Sequence, residues 1–132
     1  MAKILIADDD FLTRKMLCKY LQSFGEIDQA ATGLEALAAY DLSVLTHEPY
    51  DLMLMDIAMP AKSGIEALEK IREQEEEKKV PEDKRVKIVM ITGDKRQMMR
   101  SFERGCDDYL LKPVDPKKLA KKITDIIAGK TE

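Results

Sequence analysis

Short, nearly continuous apolar runs alternate along this chain with longer stretches of mixed polarity. Ile4 to Ala7, Leu52 to Met55, Val86 to Ile91 and Tyr109 to Leu111 are too short for helices and carry few polar positions. That pattern predicts strands of a parallel sheet buried on both faces. Ile27 to Ala31 is interrupted by Asp28 and Gln29, which predicts an edge strand. The intervening stretches predict helices over Phe11 to Phe24 with Gly25 as C-terminal stop, Leu34 to Leu45, Ile65 to Glu77, Arg96 to Arg104 with Gly105 following, and Pro116 to Ala128. Thr32-Gly33-Leu34-Glu35 and Ser63-Gly64-Ile65-Glu66 both fit a capping box, in which hydroxyl and glutamate satisfy each other's orphan backbone N–H groups. Asp115 before Pro116 fits an N-cap followed by an N1 proline.

Strand and helix therefore alternate five times. The expected fold class is α/β, a parallel sheet with helices on both faces and right-handed crossovers. At 132 residues the chain is expected to form one domain over residues 1–128, with 129–132 as a tail. On that reading it is a stand-alone unit or a piece of a longer protein.

Charge narrows the function. A formal net charge of -3 argues against nonspecific nucleic-acid binding, which needs a basic surface to displace counterions. No apolar run approaches the roughly 20 residues a membrane span needs, and no signal-peptide pattern opens the sequence, so it reads as soluble and cytoplasmic. Cys18 and Cys106 fit no Cys-x-x-Cys spacing and read as packed thiols. Arg72 to Arg85 holds six acidic and five basic residues and reads as a solvated helix end and loop.

The chemistry lies at the strand ends. In an open parallel sheet, functional groups gather beyond the carboxyl ends of the strands, above all where the strand order reverses. Asp8 and Asp9 follow the first strand, Asp56 the third, Thr92 the fourth and Lys112 the fifth. Carboxylates about 4 Å apart repel by roughly 4 kcal/mol per pair at an effective dielectric near 20, so three together call for a hard cation. Magnesium suits one or two carboxylates, a carbonyl, waters and a phosphate oxygen. Asp8 and Asp9 would hold it, with Asp56 as the third acid. A carboxylate can also attack phosphorus, with catalysis supplied by in-line positioning and charge neutralisation. Lys112 would neutralise part of that charge, and the Thr92 hydroxyl with nearby backbone N–H groups would take the remaining oxygens.

Four stretches in order and spacing, Ile4-Leu-Ile-Ala-Asp8-Asp9-Asp10, Asp51-Leu-Met-Leu-Met-Asp56-Ile-Ala-Met-Pro60, Ile91-Thr92-Gly93 and Gly105-Cys-Asp-Asp-Tyr-Leu-Leu-Lys112-Pro113, resemble the receiver domain of two-component response regulators. The resemblance covers nearly the whole chain. It implies a flavodoxin-like strand order 2-1-3-4-5, Asp56 as phosphoacceptor, and a magnesium or manganese ion held by Asp8, Asp9, Asp56 and the Ala58 carbonyl. It implies Thr92, Gly93, Ala58 and Lys112 as the phosphate-binding set, a cis Lys112–Pro113 bond, and Thr92 with Tyr109 as a switch pair. It also implies a histidine kinase or histidine phosphotransfer protein as donor, and a downstream protein target reading helix 4, strand 5 and helix 5. The chain departs from the common pattern at Ser63, and Ala58 and Asp94 stand where family members tune phosphoryl lifetime.

Other readings stay open at this stage. Taken singly, an acidic triplet is a loop or helix start, with Asp10 as a cap, and Thr92 and Lys112 are ordinary strand-end residues. A phosphatase of the haloacid dehalogenase type also forms an aspartyl phosphate, but Asp56-Ile57-Ala58 lacks that class's second acid. A binding module that had lost the chemistry is a third reading, which the intact acids and lysine disfavour. No Gly-x-x-x-x-Gly-Lys-Ser/Thr loop is present for nucleotide phosphates. Met98, Met99 and Phe102 are expected to divide between core and surface. Lys117, Lys118, Lys121 and Lys122 are expected to form a solvated face, and His47 to be structural or exposed.

Overall fold

The computed structural model describes residues 2–131. Five parallel strands, β1 (Ala2–Ala7), β2 (Gly25–Ala30), β3 (Leu52–Asp56), β4 (Lys87–Thr92) and β5 (Asp108–Leu111), form one sheet in the order β2-β1-β3-β4-β5. Helices α1 (Phe11–Leu21), α2 (Gly33–Leu45), α3 (Gly64–Glu77), α4 (Arg96–Glu103) and α5 (Pro116–Thr131) connect or follow them, with a short 3-10 turn at Glu82–Lys84. Among the described residues no helix is long and apolar enough to cross a membrane.

Because side chains alternate across a strand, each apolar run feeds two cores at once. Leu5, Met53, Met55, Ile88 and Met90 pack toward Ala36 and Tyr40 of α2 and Ile65, Leu68 and Ile71 of α3. Ile4, Ile6, Leu52, Leu54, Val89 and Ile91 pack with Leu17 and Leu21 of α1 and Leu119 and Ile123 of α5. Each fully buried aliphatic side chain contributes about 1.5–3 kcal/mol over its exposed state, so the central strands, covered on both faces, anchor the fold. β2 lies at the edge, and Glu26, Asp28 and Gln29 are the exposed or half-exposed positions expected there.

The helix starts largely follow their signals. Asp10 accepts from the Leu12 N–H, Asp115 accepts from the Lys117 N–H, and Ser63 and Glu66 form a complete capping box. At α2 only half a box forms. The Glu35 N–H donates to Thr32 Oγ1, but Glu35 Oε1 accepts from the Ala31 N–H, one residue before the cap. Gly25 is not a helix stop. α1 ends at Leu21, and Gly25 opens β2, where a Cβ would lie 2.0 Å from the Ala2 carbonyl oxygen. At the other end of the chain α5 runs to Thr131, past the expected end at Ala128.

The charged stretch from Arg72 to Arg85 is only partly solvated. Glu75 is buried, and it accepts from Arg72 Nη1 at 2.6 Å and from the Val86 N–H at 2.9 Å. Arg72 also donates to the Val86 and Gly105 carbonyls and to Asp107, whose carboxylate in turn accepts from the Ile88 N–H. This network staples α3 to the beginnings of β4 and β5, at the end of the sheet opposite the acids. Its members are mutually satisfied, so removing one strands the others. Glu75→Ala is therefore expected to cost roughly 3 kcal/mol, read as a lower urea midpoint at unchanged m-value, with Glu75→Gln costing less because it keeps an acceptor for Val86.

Candidate functional site

Asp8 and Asp56 end up adjacent because β1 and β3 are neighbours at the point where the strand order reverses. The register pairs Ala7 with Met55, so the residue after each faces the same crevice. Asp8 is fully buried and Asp56 is 4% exposed, whereas Asp9 stands in solvent at the rim. Carboxylate oxygens of Asp8, Asp9 and Asp56 lie within 4.8 Å of one another. The sheet thus gathers acids that elementary electrostatics would keep apart.

Lys112 answers part of that charge. Its Nζ donates to Asp56 Oδ2 at 3.0 Å and stands 3.4 Å from Asp8 Oδ2. The Lys112 N–H donates to the Thr92 carbonyl, which fixes the end of β5 against the end of β4, and the following Lys112–Pro113 bond is cis. Asp56 Oδ1 accepts from the Ala58 N–H at 3.3 Å, and Asp8 Oδ1 accepts from the Asp10 N–H at 2.9 Å. Asp8 Oδ2 is buried without an aligned hydrogen-bond partner among the described residues. A buried carboxylate oxygen left in that state is costly unless something binds it. Two buried acids, a third at the rim and one unsatisfied oxygen make a donor set that fits a hard divalent cation.

Proton affinities record the same contest. Burial pushes the Asp56 carboxyl above its ordinary value, aided by the charge of Asp8 and opposed by Lys112 and the Ala58 N–H. Burial also works against the Lys112 ammonium, but the hydrogen bond and charge of Asp56, with the charge of Asp8, outweigh it and hold the lysine above its usual value. The ammonium therefore stays charged at neutral pH.

Thr92 closes β4 beside this cluster, nearly buried, with its hydroxyl turned into its own loop. It accepts from the Asp94 N–H at 3.0 Å and donates to the Asp94 carbonyl at 3.3 Å. Asp94 in turn accepts from the Arg96 N–H and guanidinium, which holds its carboxyl below the ordinary value. Gly93 is exposed with open space around it. On β5 the Tyr109 ring meets Phe102 edge-on, with centroids 5.6 Å apart, and Lys122 Nζ lies 5.6 Å over its face. Lys122 also holds both carboxylate oxygens of Asp108, so it is not part of a purely solvated lysine face. Met99 and Phe102 are exposed and Met98 is half-buried, the division expected of α4.

Chain comparison agrees with this geometry. Residues 4–124 match the family model described as the response regulator receiver domain. The chain belongs to that family. It is 34% identical to the transcriptional regulatory protein ResD of Bacillus subtilis over 128 residues, covering 95% of this chain and 48% of that one. It therefore spans about half the length of this curated relative. Among solved structures, a CheY-like response regulator receiver domain protein from Methanospirillum hungatei matches with a TM-score of 0.81 at 30% identity, covering 99% of this chain and 97% of that one. The receiver domain of Saccharomyces cerevisiae Ssk1, crystallised with the histidine phosphotransfer signaling protein Ypd1, matches with a TM-score of 0.78 at 32% identity over 93% and 86% of the two chains. This chain is thus a receiver domain of the two-component and phosphorelay kind, with the flavodoxin-like strand order expected of it.

Two features of the receiver's crevice left no signal in the sequence. Arg14 Nη1 donates to the Asp8 carbonyl at 2.7 Å while its Nε donates to Gln29, so a residue of α1 holds the acidic loop against β2. Gly64 packs so closely on β3 that a Cβ there would lie 2.2 Å from the Asp56 carbonyl oxygen. Only glycine permits that approach, which fixes the loop after Asp56. Cys106 is buried, its thiol pushed up to about 11 by burial and the neighbouring aspartates, and Cys18 is a half-buried free thiol.

A raised Asp56 value means that the folded receiver binds this proton more tightly than the unfolded chain. Its contribution to stability is full below the ordinary value of 3.8 and is lost as pH rises through the higher folded-state value. At neutral pH the ionised carboxyl is therefore a net cost. In magnesium-free buffer, Asp56→Asn is expected to raise stability at pH 7 by on the order of 1 kcal/mol, with the gain vanishing toward pH 4, read by urea titration at the two pH values.

Proposed function

We propose that this receiver accepts a phosphoryl group on Asp56 from a phosphohistidine and changes its partner binding as a result. The observation that carries this reading is the cluster itself: Lys112 Nζ at 3.0 Å from Asp56, with oxygens of Asp8 and Asp9 within 4.8 Å. An Asp56 carboxylate oxygen attacks phosphorus, the phosphorus–nitrogen bond to the donor imidazole breaks with its electron pair going to nitrogen, and the ring leaves as neutral imidazole because its other nitrogen has already taken a proton from water. Lys112 stays protonated and meets a phosphoryl oxygen, and the backbone N–H groups of Ala58 and Gly93 with the Thr92 hydroxyl take others. Asp8, Asp9, Asp56 and the Ala58 carbonyl would hold magnesium, or manganese in its place. When bound, that ion neutralises charge on the transferring oxygens.

The product replaces one carboxylate charge with a phosphoryl group of about two, a gain of about one negative charge and three acceptor oxygens at a nearly buried position, enough to bias a bistable loop. For its hydroxyl to reach the phosphoryl group, Thr92 must release Asp94. That movement vacates space behind β4, and the Tyr109 ring turns inward from its packing against Phe102. The surface of α4, β5 and α5 is then read by a downstream protein. The bound group returns to water by slow hydrolysis at the same site, with Ala58 and Asp94 setting access, so the protein is a switch and not a turnover enzyme. The donor is a histidine kinase or a histidine phosphotransfer protein of the kind that Ypd1 is for Ssk1. We further assign residues 1–128 to the receiver, beyond which α5 continues to Thr131, and the protein to the cytoplasm.

Incubation with phosphoramidate and magnesium is expected to add one phosphoryl group per chain by intact mass. The adduct should be absent in Asp56→Asn and suppressed by chelation, and Asp8→Asn should weaken magnesium binding at least about tenfold. An adduct that persists in Asp56→Asn would place the chemistry elsewhere. Lys112→Ala is expected to keep some labelling but lose the phosphorylation-dependent change in Tyr109 fluorescence or ring chemical shifts. Retention of that change would remove the lysine from the switch.

A further inference from the structure

Three large exposed apolar side chains have no place in the phosphoryl chemistry. Leu34, Leu42 and Leu45 of α2 are 52%, 61% and 76% exposed. With the exposed Ala38 they fall at spacings of four, four and three residues, which puts them on one face of the helix, opposite the Ala36, Tyr40 and Ser43 side that enters the core. Scattered surface leucines need no explanation, but a continuous stripe along a whole helix does.

The margins of this stripe have one sign. By the helical period, Asp41 borders the leucines on one side and Glu35 on the other, and Glu48 lies just beyond the C-terminal end. α2 contains no lysine or arginine. Neither Glu35 nor Asp41 forms an ion pair among the described residues. Of the lysines beside α2, Lys62 pairs with Glu66 at 4.0 Å, and Lys3 pairs with Glu48 at 3.8 Å and offsets part of its charge, which leaves Glu35 and Asp41 as the acids that set the sign. Two such helices brought face to face would set acids against acids, which disfavours a second copy of the chain as occupant.

We propose that the exposed face of α2 is a docking site for an amphipathic helix of a partner protein, one with an apolar stripe flanked by lysines or arginines. The leucines supply the buried contact, and Glu35 and Asp41 select the sign of the partner's margins. The site is independent of Asp56 and of the surface on α4, β5 and α5, so it can be occupied whether or not the receiver is phosphorylated.

The test uses the full chain and two synthetic helical peptides sharing one leucine stripe, one flanked by lysines and the other by glutamates. NMR titration is expected to show the lysine peptide shifting resonances of residues 33–48, with no comparable response to the glutamate peptide. Leu42→Gln and Leu45→Gln, both at exposed positions, should each weaken the lysine peptide about tenfold. Glu35→Gln with Asp41→Asn should weaken it several-fold and flatten its salt dependence, and the glutamine keeps an oxygen for the Ala31 N–H. Equal affinity for both peptides, shifts confined to the acidic crevice or to α1, or affinity unmoved by the leucine substitutions would overturn the proposal. So would a concentration-dependent dimer by sedimentation that Leu42→Gln abolishes, since the occupant would then be a second copy.

Discussion

One ammonium lying against two buried carboxylates sets the conditions for the rest of this molecule. Asp8 and Asp56 are forced together by the reversal of strand order between β1 and β3, and Lys112 is delivered to them by the last strand. The balance is incomplete, since three acids share one lysine and one buried oxygen of Asp8 has no aligned partner among the described residues. Such a site is poised to gain from further positive charge and from a change in its own anions. Its instability is the source of its responsiveness.

The surrounding structure makes that instability affordable. β1, β3 and β4 are packed on both faces, so the acids are mounted on the most rigid part of the sheet. By contrast, among the described residues the Thr92 hydroxyl bonds within its own loop, to Asp94, and Asp94 is steadied by the largely exposed Arg96. Exposed ion pairs contribute little, about 0–1 kcal/mol, so this side of the site can rearrange while the strands stay fixed. A firm base and a loose rim are what a charge-driven switch requires.

Sequence reading reached the strands, the helix starts and the convergence of positions 8, 9, 56, 92 and 112, because each rests on local pattern or on one rule about strand ends. It misread Arg72 to Arg85 because composition cannot show that Glu75 turns inward to meet the Val86 N–H, a pairing decided by the packing of α3 on β4. Arg14 was invisible for the same reason, since its partner is a carbonyl and carbonyls leave no trace in residue identity. Gly25 looked like a helix stop because glycine serves both as a terminator and where another backbone approaches closely. Only the neighbouring Ala2 carbonyl distinguishes the two. The Thr32 motif promised a reciprocal box, but the glutamate found a donor one residue earlier.

The polar composition of β2 has its own consequence. As the outermost strand it offers an unpaired row of backbone groups, yet Glu26, Asp28 and Gln29 interrupt it, and Tyr50 donates to the Asp28 carboxylate at 2.6 Å. A neighbouring chain trying to extend the sheet there would have to desolvate the Glu26 and Asp28 carboxylates and the Gln29 amide, and the Asp28–Tyr50 bond would also have to be accommodated. The leucines of α2 can therefore remain uncovered beside an open edge without inviting strand addition and fibrillar growth.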